Sequence, residues 1–263
     1  MMTPRWRGIA LALVAMAAVG GVLAPLALWS VGEQWFPPAL LPQVFGLRGF
    51  REVARSGALS AAGASLGVAS STAILALLLA YPAGRALGLG PFRGRATLQT
   101  WLLLPALFPP TAAALGLHSG FIHLGLADTV GGVVLAHLVP ALPYAVAVLT
   151  ATFASFDIRY EEVSRNLGAG ALRVFFTVTL PLTWPGLLVA TLFAFLVSWS
   201  QYVLTLVVGG GVVITLPVLL FGLASGGDLH LTGAACVTFL VPVLLLLPVA
   251  ARALTGTVAG GQR

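Results

Sequence analysis

The residues whose types and spacing favour specific contacts are concentrated in one polar segment, residues 157–185. Asp157 can accept hydrogen bonds from the free N–H groups at the start of a helix. Glu161 stands four residues before Arg165, the favourable order for an ion pair on one helix. Gly168 is suited to the left-handed conformation that ends many helices. These groups predict ionic and hydrogen-bonded contacts rather than a chemical reaction.

The same segment predicts two short helices separated by a turn. Tyr160, Val163 and Leu167 recur at spacings of three and four, which gives the first helix one apolar face. A second helix is predicted over residues 171–179, ended at Pro181 because proline has no N–H to donate and its ring clashes with the preceding turn. The segment therefore predicts a capped helix–turn–helix.

A second group of polar residues lies within a strongly apolar stretch. Ser198, Tyr202 and Thr205 recur at spacings of four and three, with Gln201 beside them. Polar groups inside a membrane span are costly and often mark a solute pathway. Serine, threonine and glutamine also form hydrogen bonds between spans. Both roles, substrate pathway and helix packing, stay open for these four residues.

The histidines give no catalytic or metal-binding pattern. His137 is predicted either to contact a proton or substrate, or to bond a carbonyl freed by the nearby prolines. His118, His123 and Asp128 lack the dense ligand set of a metal site, so no metal is predicted. Asp128 is expected instead to cap the following helix. No H-E-x-x-H motif and no nucleophile–base set occurs, so no catalytic residue is predicted.

Composition places these groups in a membrane protein. Of the 263 residues, 59% are hydrophobic and 8% are charged, against about 25% charged in soluble domains. Several apolar stretches exceed ~18 residues, the length that crosses a bilayer. We predict one all-α polytopic transmembrane domain over residues 1–263, with a polar loop at 157–181. Its six spans are predicted at about 9–30, 59–81, 98–117, 130–153, 186–208 and 231–254.

Two of these predicted spans have special features. A secretory signal is the alternative for the first, but its apolar run of about 21 residues exceeds the 7–15 of a signal core, which favours a retained anchor. The third is interrupted by Pro105, Pro109 and Pro110.

A further apolar run begins at Val212 and is too short to cross the bilayer, which predicts an interfacial or re-entrant segment.

Arginine distribution predicts the orientation. The net charge of +6 arises from thirteen basic and seven acidic residues, and sidedness explains it better than a nucleic-acid partner does. With the N-terminus in the cytoplasm, three arginines lie outside, namely Arg48, Arg51 and Arg55. The other ten lie inside: Arg5, Arg7, Arg85, Arg93, Arg95, Arg159, Arg165, Arg173, Arg252 and Arg263. This positive-inside bias predicts cytoplasmic N- and C-termini and a cytoplasmic 157–181 loop.

The chain contains no lysine, so it cannot form a G-x-x-x-x-G-K-[ST] phosphate loop. We therefore expect no cofactor bound by this chain, and any ATP and magnesium that drive it would bind to other subunits. The single cysteine, Cys236, cannot form an intrachain disulfide and is expected to pack in an apolar stretch.

The polar loop carries a spaced motif. Gly168 lies six residues after Glu162, and Val178 lies ten residues after Gly168. This spacing resembles the EAA loop of ABC-importer permeases, in which Glu-Ala-Ala is followed by glycine and then by Ile-x-Leu-Pro. Two departures are Val163-Ser164 for the alanines and Val178 for the isoleucine. The residues that carry the resemblance are Glu162, Val163, Ser164, Gly168, Val178, Thr179, Leu180 and Pro181.

The resemblance implies a type I ABC-importer permease fold in a bacterial inner membrane. In that family a permease pairs with a second permease, as a homodimer or heterodimer, and with two ATP-binding subunits and an external substrate-binding protein. The 157–181 loop would form a coupling helix that seats in the ATPase. The residues expected to couple to the ATPase are Glu161, Glu162, Val163, Ser164, Gly168, Leu180 and Pro181.

Further strings resemble the branch of this family that imports polyamines, iron or thiamine, which makes such a solute the expected cargo. These strings are Ser198-Trp199-Ser200-Gln201-Tyr202, Gly209-Gly210-Gly211 and Thr215-Leu216-Pro217. A secondary transporter or channel is the alternative function, although such proteins often carry charged residues inside their spans and the predicted spans have none deep within them. A polytopic membrane enzyme is disfavoured because no catalytic cluster occurs.

Overall fold

The computed structural model describes residues 4–35 and 38–260, and these residues are mostly helical. Arg263, one of the arginines used to predict orientation, lies outside the described residues. The helices and strands follow in chain order: α1 Pro4–Val31, β1 Gly32–Gln34, β2 Val44–Phe45, α2 Arg48–Arg55, α3 Ala58–Leu89, α4 Arg95–Leu103, α5 Pro110–His123, α6 Val130–Ala154, α7 Arg159–Asn166, α8 Ala171–Val174, α9 Leu180–Trp199, α10 Val203–Val208, α11 Leu216–Ser225 and α12 Leu229–Gly260.

Among the described residues, four helical stretches are long and apolar enough to cross a membrane: Ala58–Leu89, Val130–Ala154, Ala171–Trp199 and Leu229–Leu246. The all-α prediction is confirmed apart from a short antiparallel ladder, in which Gly32 pairs with Phe45 and Gln34 with Val44. The count of six spans remains a prediction.

The chain divides into two compact units, and the first comprises the described parts of Met1–Ala61 and Val218–Pro242. His230 joins three helices within it. Its Nε2 accepts from the Gly49 N–H of α2 at 3.0 Å, and its Nδ1 lies 3.0 Å from the Trp29 carbonyl of α1. Because Nε2 accepts, Nδ1 must carry the proton. Asp228 caps α12 by accepting from the His230 and Leu231 N–H groups.

The second unit comprises Ala62–Pro217 and the described part of Val243–Arg263. Its core is formed by α3, α6 and α9, which meet through small side chains such as Ala76, Ala145 and Ala190. Alanines and glycines let helices approach closely, which is the usual packing mode in membranes. One such close approach is at Gly88 of α3, where an added Cβ would lie 2.8 Å from the Thr150 carbonyl oxygen of α6.

Two predicted spans are broken in the structure. Between α4 and α5 the chain forms a 3₁₀ turn, Leu104–Leu107, and then an extended residue, Phe108. Pro105 and Pro109 account for this break because neither residue can donate a backbone hydrogen bond. The predicted fifth span is interrupted where α9 ends at Trp199 and α10 begins at Val203.

The prediction that the helix ends at Pro181 was wrong. Residues 171–199 form one continuous helical stretch, in which α8 joins α9 through a π-helical turn, Phe175–Thr179. The Leu180 N–H donates to the Phe175 carbonyl, five residues back. This wider turn leaves room for the Pro181 ring, which would otherwise clash with the Thr177 carbonyl four residues earlier.

Asp128 does not cap α6 as predicted. Thr129 is the cap, and its hydroxyl oxygen accepts from the Gly132 N–H at 3.0 Å. Asp128 instead has φ of 60°, and its own N–H donates to the Val208 carbonyl at 2.9 Å. The sequence could not distinguish the two because either side chain can cap and they are adjacent.

Candidate functional site

The ends of α7 are formed as predicted. The Asp157 carboxylate accepts from the Arg159 N–H at 3.0 Å, where α7 begins. Gly168 has φ of 85°, so it takes the left-handed conformation just after the helix ends. A side chain at this position would be strained, and glycine avoids that cost. These two local signals fix both ends of an eight-residue helix.

α7 places its apolar residues outward. Tyr160, Val163 and Leu167 are 60%, 58% and 83% exposed. The neighbouring Glu162 and Gly168 are exposed too, and Ser164 is half-buried. An apolar face on a surface helix is typical of a contact with a membrane or a protein partner. Leu180 and Pro181 do not lie on this face, because they belong to the first turn of α9.

The buried residue of α7 is a carboxylate, Glu161, which is 1% exposed. Arg85 of α3 donates to it with both terminal nitrogens, Nη1 to Oε1 and Nη2 to Oε2, each at 2.8 Å. The Thr179 hydroxyl donates to Oε1 at 2.7 Å, and Arg165 Nη2 donates to Oε2 at 3.1 Å. Four hydrogen bonds therefore satisfy this carboxylate, which makes its burial tolerable.

The part of this cluster that is predicted from the sequence is the weaker one. The predicted pair of Glu161 and Arg165 is confirmed, but Arg165 is largely exposed and makes a single contact. Arg85 and Thr179 were missed because they are 76 and 18 residues away in sequence. The aromatic residue Phe153 of α6 was missed too, and it lies 5.6 Å below the Arg85 guanidinium. Helical spacing reveals only partners three or four residues apart.

The Glu161 carboxyl should make stability depend on pH in the acid range. Hydrogen bonds from Arg85 and then Thr179 hold its pKa below the ordinary 4.5, although burial acts in the opposite direction. Because the pKa is lower in the folded state, the ionised Glu161 carboxylate stabilises the fold fully above pH 4.5. This stabilisation is lost as the pH falls through the folded pKa. We expect the unfolding temperature of the wild type to fall more steeply below pH 4.5 than that of Glu161→Gln. Parallel curves for the two proteins, measured in detergent, would contradict this expectation.

A second polar cluster lies among the helices of the same unit. His137 of α6 is 1% exposed. Its Nδ1 lies 2.9 Å from the Ser198 hydroxyl, and its Nε2 lies 2.9 Å from the Thr205 hydroxyl. Ser198 is in α9 and Thr205 is in α10, so the ring bridges the break between these helices. The expectation that His137 bonds a proline-freed carbonyl was wrong, because both ring nitrogens bond hydroxyl groups.

The hydrogen-bond directions in this cluster follow from donor counting. Thr205 has one hydroxyl proton, and it donates to the Gln201 carbonyl at 3.0 Å. Thr205 must therefore accept from His137 Nε2–H, and in the tautomer protonated at Nε2 alone, Nδ1 accepts from the Ser198 hydroxyl. The chain of bonds runs from Ser198 through His137 and Thr205 to the Gln201 carbonyl.

The four candidate pathway residues separate into two pairs. Ser198 and Thr205 are buried and bonded to His137, as expected for helix packing. Gln201 and Tyr202 are half-buried in the break between α9 and α10. Gln201 lines a cavity of about 290 Å³, whose walls include both helix breaks. Its lining residues are Pro105, Phe108, Pro110, Ala113, Val139, Pro140, Tyr144, Val197, Ser200, Gln201 and Leu204.

Comparison with known proteins places the chain in a family. The family described as binding-protein-dependent transport system inner membrane component matches residues 80–258, which include α7 and the His137 cluster. The chain belongs to this family. The match confirms the resemblance first seen in the spacing of Glu162, Gly168 and Pro181.

Relatives in this family include named permeases. The molybdenum transport system permease protein ModB of Mycobacterium bovis is 29% identical over 271 residues, covering 97% of this chain and 96% of that protein. The protein of the same name from Escherichia coli K12 is 38% identical over 124 residues, covering 42% of this chain but only 54% of the relative. A putative ABC transporter permease protein, ORF1, of Streptomyces antibioticus is 30% identical over 200 residues, covering 75% and 87%.

A solved structure shares the fold. It is the crystal structure of a bacterial ABC transporter involved in the import of the acidic polysaccharide alginate. The matching chain has a TM-score of 0.73 and 19% identity, and the match covers 96% of this chain and 98% of that one. The two chains therefore share the same fold.

Proposed function

We propose that this chain is a permease subunit of an ATP-driven ABC importer, and that α7 is its contact with a partner ATPase. The outward apolar face of α7 is the observation that carries the proposal. Exposed Tyr160 and Val163 lie on a helix that is capped at both ends and tied inward through Glu161, and exposed Leu167 directly follows that helix. A stiff helix with an uncovered apolar face suits rigid docking in a groove of another protein.

The proposal includes several subunits. Two ATP-binding subunits supply ATP and magnesium, since this chain has no lysine with which to build a phosphate loop. A second permease, identical or different, completes the solute route, and an external binding protein delivers the solute. The arginine distribution supports placing both termini and α7 in the cytoplasm, where the ATPase acts. Membrane lipid covers the remaining apolar surface.

The proposed route passes the break between α9 and α10. Gln201 and Tyr144 supply amide and phenol groups to the cavity there, and no charged residue is among the residues that line it. Neutral donors can hold an anion while leaving it free to move on. The relatives named for molybdenum transport favour a molybdate-type oxyanion. This cargo takes the place of the polyamine, iron or thiamine expected from sequence.

Purification of the assembled complex tests the function. We expect an affinity-tagged chain, co-expressed with the ATPase and second permease of its own organism, to retain both. Replacing Tyr160, Val163 and Leu167 together by serine should remove the ATPase by deleting the docking surface. The matched control replaces Leu40, Leu41 and Leu47, which are also exposed, and should leave the complex intact.

Transport by the reconstituted complex tests the cargo. Vesicles that contain the complex and its binding protein should accumulate molybdate only with ATP. Spermidine, ferric iron and thiamine should not be accumulated. Uptake by this chain alone, without nucleotide, would contradict the proposal and favour a secondary transporter or channel.

A further inference from the structure

We infer that Glu161 is a positioning residue that carries a displacement of α7 into α3 and α9. The inference rests on the proposed function, in which a partner ATPase moves α7. It adds the side chain through which that movement reaches the membrane helices. Arg85 provides the link to α3, and Thr179 provides the link to the start of α9.

One carboxylate joins the three elements. Among the eight residues of α7, Glu161 is the buried one, and its carboxylate makes the hydrogen bonds to α3 and to the π-helical turn. Arg85 and Thr179 contact the same Oε1 atom, at 2.8 Å and 2.7 Å. Any shift of Oε1 therefore strains a bond to α3 and a bond to the π-helical turn at the same time.

The bond to Arg85 is suited to transmitting both position and orientation. Two parallel N–H···O bonds between planar groups fix the angle as well as the distance. A single bond from lysine would leave the carboxylate free to rotate. The guanidinium is itself held over the Phe153 ring at 5.6 Å, which connects it to α6. The linkage therefore continues into the packed core of the unit.

Stability alone is a weak reason for this arrangement. A buried ion pair recovers little more than the cost of removing its charges from water, and apolar residues of similar volume are often as stable. α7 nevertheless buries a carboxylate and exposes its apolar residues, the reverse of an ordinary surface helix. This reversal is explained if the outward face docks and the inward face transmits a fixed geometry.

The test measures coupling in the reconstituted complex, as solute transported per ATP hydrolysed. Glu161→Gln and Arg85→Lys both nearly keep the size of the side chain. Glu161→Gln removes the negative charge, and Arg85→Lys removes the pair of parallel hydrogen bonds to Glu161. We expect both variants to assemble and hydrolyse ATP while transport per ATP falls by about tenfold, a typical size for coupling between sites. Thr179→Val should lower the ratio less, because it removes one bond and no charge.

The matched control is the ion pair of Arg48 and Glu52 on α2, in which Arg48 Nε lies 2.7 Å from Glu52 Oε1. Arg48→Lys and Glu52→Gln should leave the ratio at the wild-type value. A wild-type ratio in assembled Glu161→Gln and Arg85→Lys overturns the inference. The inference is also overturned if Glu161→Gln and Arg85→Lys give less purified complex while Thr179→Val transports as much solute per ATP as the wild type. That pattern would show that Glu161 has a purely structural role.

Failure of the proposed function gives a different result. In that case the wild-type chain does not retain an ATPase, or its transport does not need ATP. If the wild type retains the ATPase and its transport requires ATP, only the role of Glu161 is in question.

Discussion

Replacing Gly88 with leucine is expected to prevent α3 from packing on α6 and to abolish stable folding of the chain. An added Cβ at Gly88 would lie 2.5 Å from Phe153 Cβ and 2.8 Å from the Thr150 carbonyl oxygen. The nearby backbone cannot move aside as a flexible side chain can. We expect the free energy of unfolding to fall by about 3 kcal/mol or more, the upper end of the range for overpacked cores. Thermal unfolding in detergent, together with the yield of monodisperse protein, measures the effect.

Gly67→Leu on the same helix is the matched control, because an added Cβ there meets nothing within 4 Å. It should express and unfold like the wild type. Gly84→Leu should behave like Gly88→Leu, since a Cβ at Gly84 would lie 2.5 Å from Leu149 Cβ. Equal stability of Gly67→Leu and Gly88→Leu would show that the two helices do not pack as described.

His137→Ala is expected to destabilise the junction of α9 and α10. Two buried hydroxyl groups, on Ser198 and Thr205, lose their partner, and the ring leaves a cavity between the helices. We expect the free energy of unfolding to fall by about 2 kcal/mol or more. This exceeds the value of one interhelical hydrogen bond in a membrane, about 0.6 kcal/mol on average, because two bonds are lost and a cavity is left. The measurement is the unfolding temperature, with ATP-driven uptake as a second readout because Gln201 lines the cavity at this break.

Conservative substitutions at position 137 test the assigned bond directions. Glutamine can keep the donor toward Thr205, and asparagine can keep the acceptor toward Ser198, so each should recover part of the stability. His123→Ala, at an exposed position in α5, should have no effect. If His137→Ala unfolds like His123→Ala, the cluster contributes nothing and Ser198 and Thr205 regain their place as pathway candidates.

Local signals in the sequence were reliable for α7. Asp157, Gly168 and the pair of Glu161 and Arg165 act within a few residues, so their spacing alone predicts their geometry. Ser198 and Thr205 meet at the same ring although α9 ends between them, because the two hydroxyl groups bond the two ring nitrogens of His137.

Features that depend on tertiary contacts were not predictable. Nothing near Arg85 indicates that it would reach a carboxylate 76 residues later. The exposure of the apolar face of α7 also contradicts the usual rule that such a face is buried in its own chain. Pro181 was misjudged because the rule for proline assumes a regular helix, and the π-helical turn before it removes that assumption.

That turn also limits how this stretch of sequence can change. Deleting one residue from a π turn restores a regular helix and leaves the flanking segments in phase, whereas a deletion within α9 would rotate every later side chain by about 100°. Here a regular helix would bring the Pro181 ring against a carbonyl. The extra residue and the proline must therefore be gained or lost together, and a homologue that is one residue shorter between positions 175 and 179 should carry a residue other than proline at 181.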